Sequence, residues 1–105
     1  MKPSQKILKQ LTKTIVDTVH PLRIILFGSM ARGTAGPDSD IDLMIVMPNG
    51  THRRHTRQKL HRDIPGIGVP LDLLVATPED FEKYGEHPSL IYKYVLSEGK
   101  EIYAA

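Results

Sequence analysis

The 105-residue sequence contains no cysteine. That excludes a disulfide framework and thiolate zinc sites, and it fits a reducing compartment. No apolar run approaches the ~18 residues that would suggest a membrane span. The first residues, Met1-Lys2-Pro3-Ser4-Gln5, lead into a charged amphipathic segment and lack the apolar stretch of a signal peptide. A cytoplasmic protein with no membrane partner is therefore expected. Repeats and low-complexity tracts are also missing. Acidic residues are absent from one stretch, residues 51–62, which carries Arg53, Arg54, Arg57, Lys59 and Arg62. The net charge is only +2, so it is this local block, and not the total, that needs explaining.

What is present describes an ordinary folded chain. Hydrophobic residues make up 40% and charged residues 25%, which favours a packed core over disorder. The length predicts one domain, residues 1–105, with a modest core. Ile7, Leu8, Leu11, Ile15, Val16 and Val19 recur at helical spacing, so residues 4–18 read as an amphipathic helix ended by His20-Pro21. Residues 22–27 (LRIILF) read as a buried strand closed by Gly28. Ser29 to Arg32 can form one helical turn stopped by Gly33. Gly36-Pro37-Asp38-Ser39 marks a loop. Residues 40–47 (DIDLMIVM) read as a second strand and Pro48-Asn49-Gly50 as a turn. The basic stretch reads as a helix with Thr51 as N-cap. Residues 69–76 (VPLDLLVA) read as a third strand, with Pro70 marking an edge or a first residue. Thr77-Pro78-Glu79-Asp80 is a helix start, and Gly85 ends that short helix. Pro88-Ser89 opens a last helix, with Leu90, Ile91, Tyr94 and Val95 on one face and Gly99 as its stop. Residues 100–103 suit a final strand. The class is α/β (α+β), a small mixed sheet flanked by helices.

The chemistry concentrates in three places. Strand side chains alternate, so Asp40 and Asp42 project from the same face while Ile41 points into the apolar one. Two adjacent carboxylates repel unless a cation lies between them. Hard oxygen donors in this arrangement suit Mg²⁺, with Mn²⁺ as the alternative. A DxD alone is as readily a solvated strand entrance. Asp72 shifts the balance, because a charge inside an otherwise apolar strand is costly without a partner. If that strand lies beside the second, Asp72 joins the pair as a third ligand, or accepts a proton from an attacking hydroxyl. Gly28 allows close backbone approach to a phosphate, and the following turn with the Ser29 hydroxyl forms an anion site. Arg32, one turn on, can steady a phosphate or form a surface ion pair.

Gly28-Ser29-Met30-Ala31-Arg32-Gly33, then Ser39-Asp40-Ile41-Asp42-Leu43, then Leu71-Asp72-Leu73, resembles the minimal nucleotidyltransferases of the DNA polymerase β-like superfamily. The resemblance covers most of the chain, and all three carboxylate positions are filled. It implies two Mg²⁺ ions and transfer of a nucleoside monophosphate from a nucleoside triphosphate to a hydroxyl, with release of pyrophosphate. It implies that Asp40 and Asp42 bind both metals, that Asp72 binds the metal activating the acceptor, and that Gly28 and Ser29 hold the triphosphate. In-line transfer of this kind depends on positioning and charge neutralisation, which two ions ~3.5–4 Å apart supply. The small size resembles the stand-alone type paired with HEPN-domain toxins, which implies ATP as substrate, AMP as the transferred group and a partner tyrosine as acceptor.

Two other readings stand beside this one. The chain could be a catalytically silent antitoxin that neutralises its partner by contact. It could be a nucleic-acid-binding regulator acting through the basic helix 51–62, a less favoured reading because that stretch holds no aromatics to stack bases. The same helix reads equally as a solvated face or as a docking surface for an acidic partner. Tyr84, Tyr92, Tyr94 and Tyr103 are expected to serve packing more than chemistry.

Overall fold

The computed structural model describes residues 3–33, 40–68, 70–84 and 91–105. The expected loop at Gly36-Pro37-Asp38-Ser39, the helix end at Gly85 and the helix start at Pro88-Ser89-Leu90 lie outside the described residues, as does Val69. In chain order the elements are α1 (Pro3–Val19), β1 (Arg23–Phe27), α2 (Ser29–Arg32), β2 (Ile41–Val46), α3 (Arg53–Asp63), β3 (Leu71–Ala76), α4 (Pro78–Tyr84), α5 (Ile91–Glu98) and β4 (Lys100–Ala104).

The four strands form one mixed sheet in the order β3-β2-β1-β4. β1 pairs antiparallel with β2 and with β4, the latter through a register shift between Ile24 and Ile25. β2 and β3 run parallel. Parallel neighbours cannot be joined by a tight turn, and α3 lies in the crossover between them. Pro70 immediately precedes the edge strand β3, where its missing N–H costs no ladder bond. Its carbonyl still accepts from the Ile41 N–H at 2.9 Å.

Alternation along β2 divides the core in two. Ile41, Leu43 and Ile45 pack on one face with Leu11 and Ile15 of α1, Leu60 of α3 and Leu73 of β3. Met44 and Val46 pack on the other with Ile25, Phe27, Ala76 and Val95, and with Phe81, Tyr92 and Tyr94 against them. Asp42 shares the parity of Met44 and Val46, so it belongs to the second face.

The element ends have local causes. α1 stops at Val19, and His20 takes a left-handed φ of 50° while its N–H bonds the Val16 carbonyl at 3.0 Å. Gly33 closes α2 in the left-handed conformation. The expected N-cap of α3, Thr51, is corrected to His52. The His52 Nδ1 accepts from the His55 N–H at 3.1 Å, whereas the Thr51 hydroxyl donates to the Pro48 carbonyl at 2.7 Å. Thr51 is held by the preceding turn, which leaves the next residue to enter the helix. At Thr77, the expected cap, the Asp80 side chain supplies the bonds: one Asp80 oxygen accepts from the Thr77 N–H at 2.9 Å and from its hydroxyl at 3.3 Å, while the Asp80 N–H donates to the Thr77 carbonyl at 3.0 Å.

Candidate active site

Asp42 and Asp72 are register partners on the parallel strands β2 and β3. Partners in a parallel ladder point to the same side, so both carboxylates emerge on one face of the sheet. Their side chains lie within hydrogen-bonding reach of each other. Asp42 is half-buried and Asp72 exposed on the edge strand. Burial pushes the Asp42 carboxyl above its ordinary range. The Asp72 hydrogen bond, the Asp72 charge and the Asp40 charge push it further, and the Arg32 guanidinium opposes them. Two carboxylates this close hold either a proton or a cation between them.

Asp40 sits one residue before β2 and is exposed. Its charge reaches Asp42, yet among the described residues no group of three His, Cys, Asp or Glu side chains closes on a single point that could hold a metal ion. The structure thus brings Asp42 and Asp72 into contact and leaves Asp40 at the rim. Mg²⁺ sites commonly use one or two carboxylates, the remaining positions going to water and substrate phosphate. The Asp42–Asp72 pair fits that donor set, while Asp40 stands apart from it.

The other wall is the turn after β1. Phe27 pairs with Asp42 across the β1–β2 ladder. Gly28 therefore follows directly beside the carboxylate. Its φ is 77°, and a Cβ there would collide with the Asp42 carboxyl group. Only glycine satisfies both the conformation and the space. Ser29 opens α2. Arg32, at its end, donates from Nη1 to the Tyr94 hydroxyl on α5. The Tyr94 ring packs edge-on against Phe27, centroids 6.5 Å apart. Sequence reading places Tyr94 among packing residues and misses this link to Arg32. The two are 62 residues apart, and no local spacing signals their meeting.

The basic helix lies elsewhere. Its buried residue, Leu60, belongs to the face of the sheet opposite Asp42. Arg53 is not a free surface charge: its Nη1 lies 2.6 Å from both oxygens of the buried Asp80. Burial by itself would raise the Asp80 carboxyl, but the bonds from Arg53 and the Thr77 backbone outweigh it and hold the group below the usual carboxylate range. A shallow, mainly apolar groove between α1 and β4, lined by Leu8, Val16, Ile102 and Tyr103, is on the far side as well. Lys9, Lys13 and Asp17 also line it, but among the described residues it brings no second carboxylate to Asp17, whereas Asp42 and Asp72 meet on the other face.

A parallel pair of acidic strands facing a glycine turn defines a nucleotidyltransferase-like fold, and two solved structures share it. A putative nucleotidyltransferase from Sulfolobus solfataricus superposes with a TM-score of 0.66 at 20% identity, over 94% of this chain and 78% of that one. A toxin-antitoxin structure with AMP-PNP superposes at 0.61 and 22% identity, over 92% and 73%. Residues 5–102 match the nucleotidyltransferase domain family, and the chain belongs to it. It is 38% identical over 72 residues to a putative protein adenylyltransferase of Methanocaldococcus jannaschii. That alignment takes in 64% of this chain and 49% of the relative, so the chain spans about half the length of the curated relative it matches.

Proposed function

We propose that the chain is a divalent-cation-dependent nucleotidyltransferase that moves AMP from ATP to a hydroxyl of a partner protein. The observation that carries the reading is the in-register pairing of Asp42 with Asp72 beside Gly28. Family membership supports the reaction class. The name of the Methanocaldococcus relative supports a protein acceptor, and the AMP-PNP in the toxin-antitoxin structure supports an adenine nucleotide and a toxin partner. A tyrosine of a HEPN-domain toxin is the acceptor that the sequence resemblance implies. An ATP donor makes the cytoplasm the expected compartment.

In this reading Asp42, Asp40 and Asp72 hold Mg²⁺, or Mn²⁺ in its place. The metal would neutralise the triphosphate and acidify the attacking hydroxyl. The residues themselves do the rest. Gly28 carries no side chain, which would let a phosphate approach the backbone of the β1–α2 turn beside Asp42. Ser29 places a hydroxyl and the start of α2 at the same point. Arg32 offers a guanidinium to the phosphate charge, held by Tyr94 until substrate arrives. Asp72, exposed on the edge strand, is the carboxylate an incoming hydroxyl meets and the acceptor for its proton.

The test is incubation with α-labelled ATP, Mg²⁺ and the product of the adjacent reading frame. Label should pass to that protein and be lost with Asp42→Asn. Equal labelling by the variant would falsify the role given to Asp42. Full neutralisation of a toxin by an Asp40→Asn, Asp42→Asn double variant would instead favour silencing by contact.

A further inference from the structure

Most of the basic stretch lies in α3, an 11-residue helix, and the site above uses none of it. α3 turns Leu60 into the core. At 100° per residue, Arg53, Thr56 and Leu60 share the inner side. Arg54, Arg57 and His61 form one outer stripe, and His55, Lys59 and Arg62 a second, with Gln58 between them. All seven outer residues are exposed. The acidic residue at the end, Asp63, pairs with Arg62 at 3.2 Å in a largely solvated contact, and an exposed pair of that kind exchanges partners at little cost. Asp80, the acid nearest from α4, is already bound to Arg53.

Two features decide what such a surface takes. It exposes no large apolar side chain: the exposed large hydrophobics of the described residues, Leu22 just before β1 and Ile91 and Leu96 on α5, all lie outside α3. Protein interfaces are anchored at their centres by aromatic residues together with arginine, and lysine is depleted there. α3 offers the arginines without the aromatic anchors and adds an exposed lysine. It also carries no Phe, Tyr or Trp to stack an unpaired base; its only rings are the smaller imidazoles of His55 and His61. A surface of Arg, Lys, His and Gln without either suits a regular array of phosphates.

We infer that α3 is a sequence-independent binding surface for the phosphate backbone of duplex nucleic acid, placed on the opposite side of the sheet from Asp42 and Asp72. The two faces are separated by the sheet itself, with Leu60 on one and Asp42 on the other. Backbone binding and nucleotide binding are therefore independent. The surface does not rest on the proposed reaction.

The experiment is fluorescence anisotropy of the full chain with labelled duplexes of about twenty base pairs, one DNA and one RNA of the same sequence. Each phosphate neutralised contributes about −0.9 to the slope of log affinity against log salt. With Arg54, Arg57, Lys59 and Arg62 engaged, the slope should be about −3 to −4, roughly a hundredfold loss between 50 and 200 mM salt. Substituting Arg54→Gln, Arg57→Gln and Arg62→Gln should bring the slope to about −1. The Lys counterpart, Arg54→Lys, Arg57→Lys and Arg62→Lys, should restore most binding. Both variants should keep the wild-type melting temperature and its response to Mg²⁺ and ATP. Absence of binding at 50 mM salt, or equal binding by the Gln variant, overturns the inference. Tighter binding of a polyglutamate peptide than of either duplex would also overturn it and assign the surface to an acidic protein. A preference for the DNA or the RNA duplex identifies the source and leaves the phosphate-backbone inference standing.

Discussion

At Gly28 the backbone runs at φ 77° beside a carboxylate that leaves no room for a methyl group. Gly28→Ala therefore faces two costs: about 1–2 kcal/mol for an L-residue in that conformation, and displacement of Asp42. The expected outcome is a melting temperature lower by roughly 5–10 °C together with loss of AMP transfer. Calorimetry and the labelling assay read the two separately. Asp42 behaves in the opposite sense. Its carboxyl is raised by burial and by the Asp72 and Asp40 charges, so ionising it costs folding stability. The cost is complete above the raised pKa and gone below the unfolded value of about 3.9. Asp42→Asn should accordingly melt higher than wild type at pH 7 in EDTA, with the difference closing toward pH 4. A variant less stable than wild type at pH 7 would show that the carboxylate is satisfied without a cation.

At the scale of elements, the joint between α3 and α4 rests on Asp80. It caps α4 through Thr77 and binds Arg53 of α3, and Asn49 adds a bond to the Glu79 N–H at 3.0 Å. Loss of a cap costs about 1 kcal/mol, and loss of a hydrogen bond to a charged group about 1.5–3 kcal/mol. Arg53 is roughly half exposed, so solvent screening keeps its share at the lower end. Asp80→Ala should lower stability by about 2–3 kcal/mol at pH 7. The Asp80 carboxyl is depressed in the fold. Its stabilisation is thus complete above the unfolded value of about 3.9 and is lost as pH falls through the lower folded value. Urea denaturation should find the gap between variant and wild type wide at pH 7 and narrowing below about pH 4. A gap independent of pH would mean that shape, not charge, joins the helices.

For the molecule as a whole, the sheet stands between α3 and the Asp42–Asp72 pair, and ligand linkage can test whether the two faces act separately. A ligand that binds only the folded state at a hundred times its dissociation constant adds about 2.7 kcal/mol. For a chain of this size that is a rise of more than 10 °C in melting temperature. Mg²⁺ with a non-hydrolysable ATP analogue should produce that rise in the wild type. Substitutions at Arg54, Arg57 and Arg62 should leave it intact, and Asp42→Asn should abolish it. Loss of the rise with the arginine substitutions would join surfaces that the fold keeps apart.

Much of this was legible in residue order alone. Alternation at Asp40-Ile41-Asp42 sends the acids and the core residue to opposite faces, because a strand has a period of two. Gly28 and Gly33 bracket α2 because both require positive φ. An apolar run with one acid, around Asp72, implies a partner because an isolated charge is costly there. Other features were not local. The order of strands, and with it the meeting of Asp42 with Asp72, depends on a parallel pairing across the α3 crossover. The exchange of Thr51 for His52 as N-cap depends on where the Pro48 carbonyl lies. Arg53 reads as one basic residue among five until α4 brings Asp80 against it. Backbone period and glycine geometry act within a few residues, so sequence determines them. Which side chains meet across the sheet is a property of packing, and only the tertiary structure decides it.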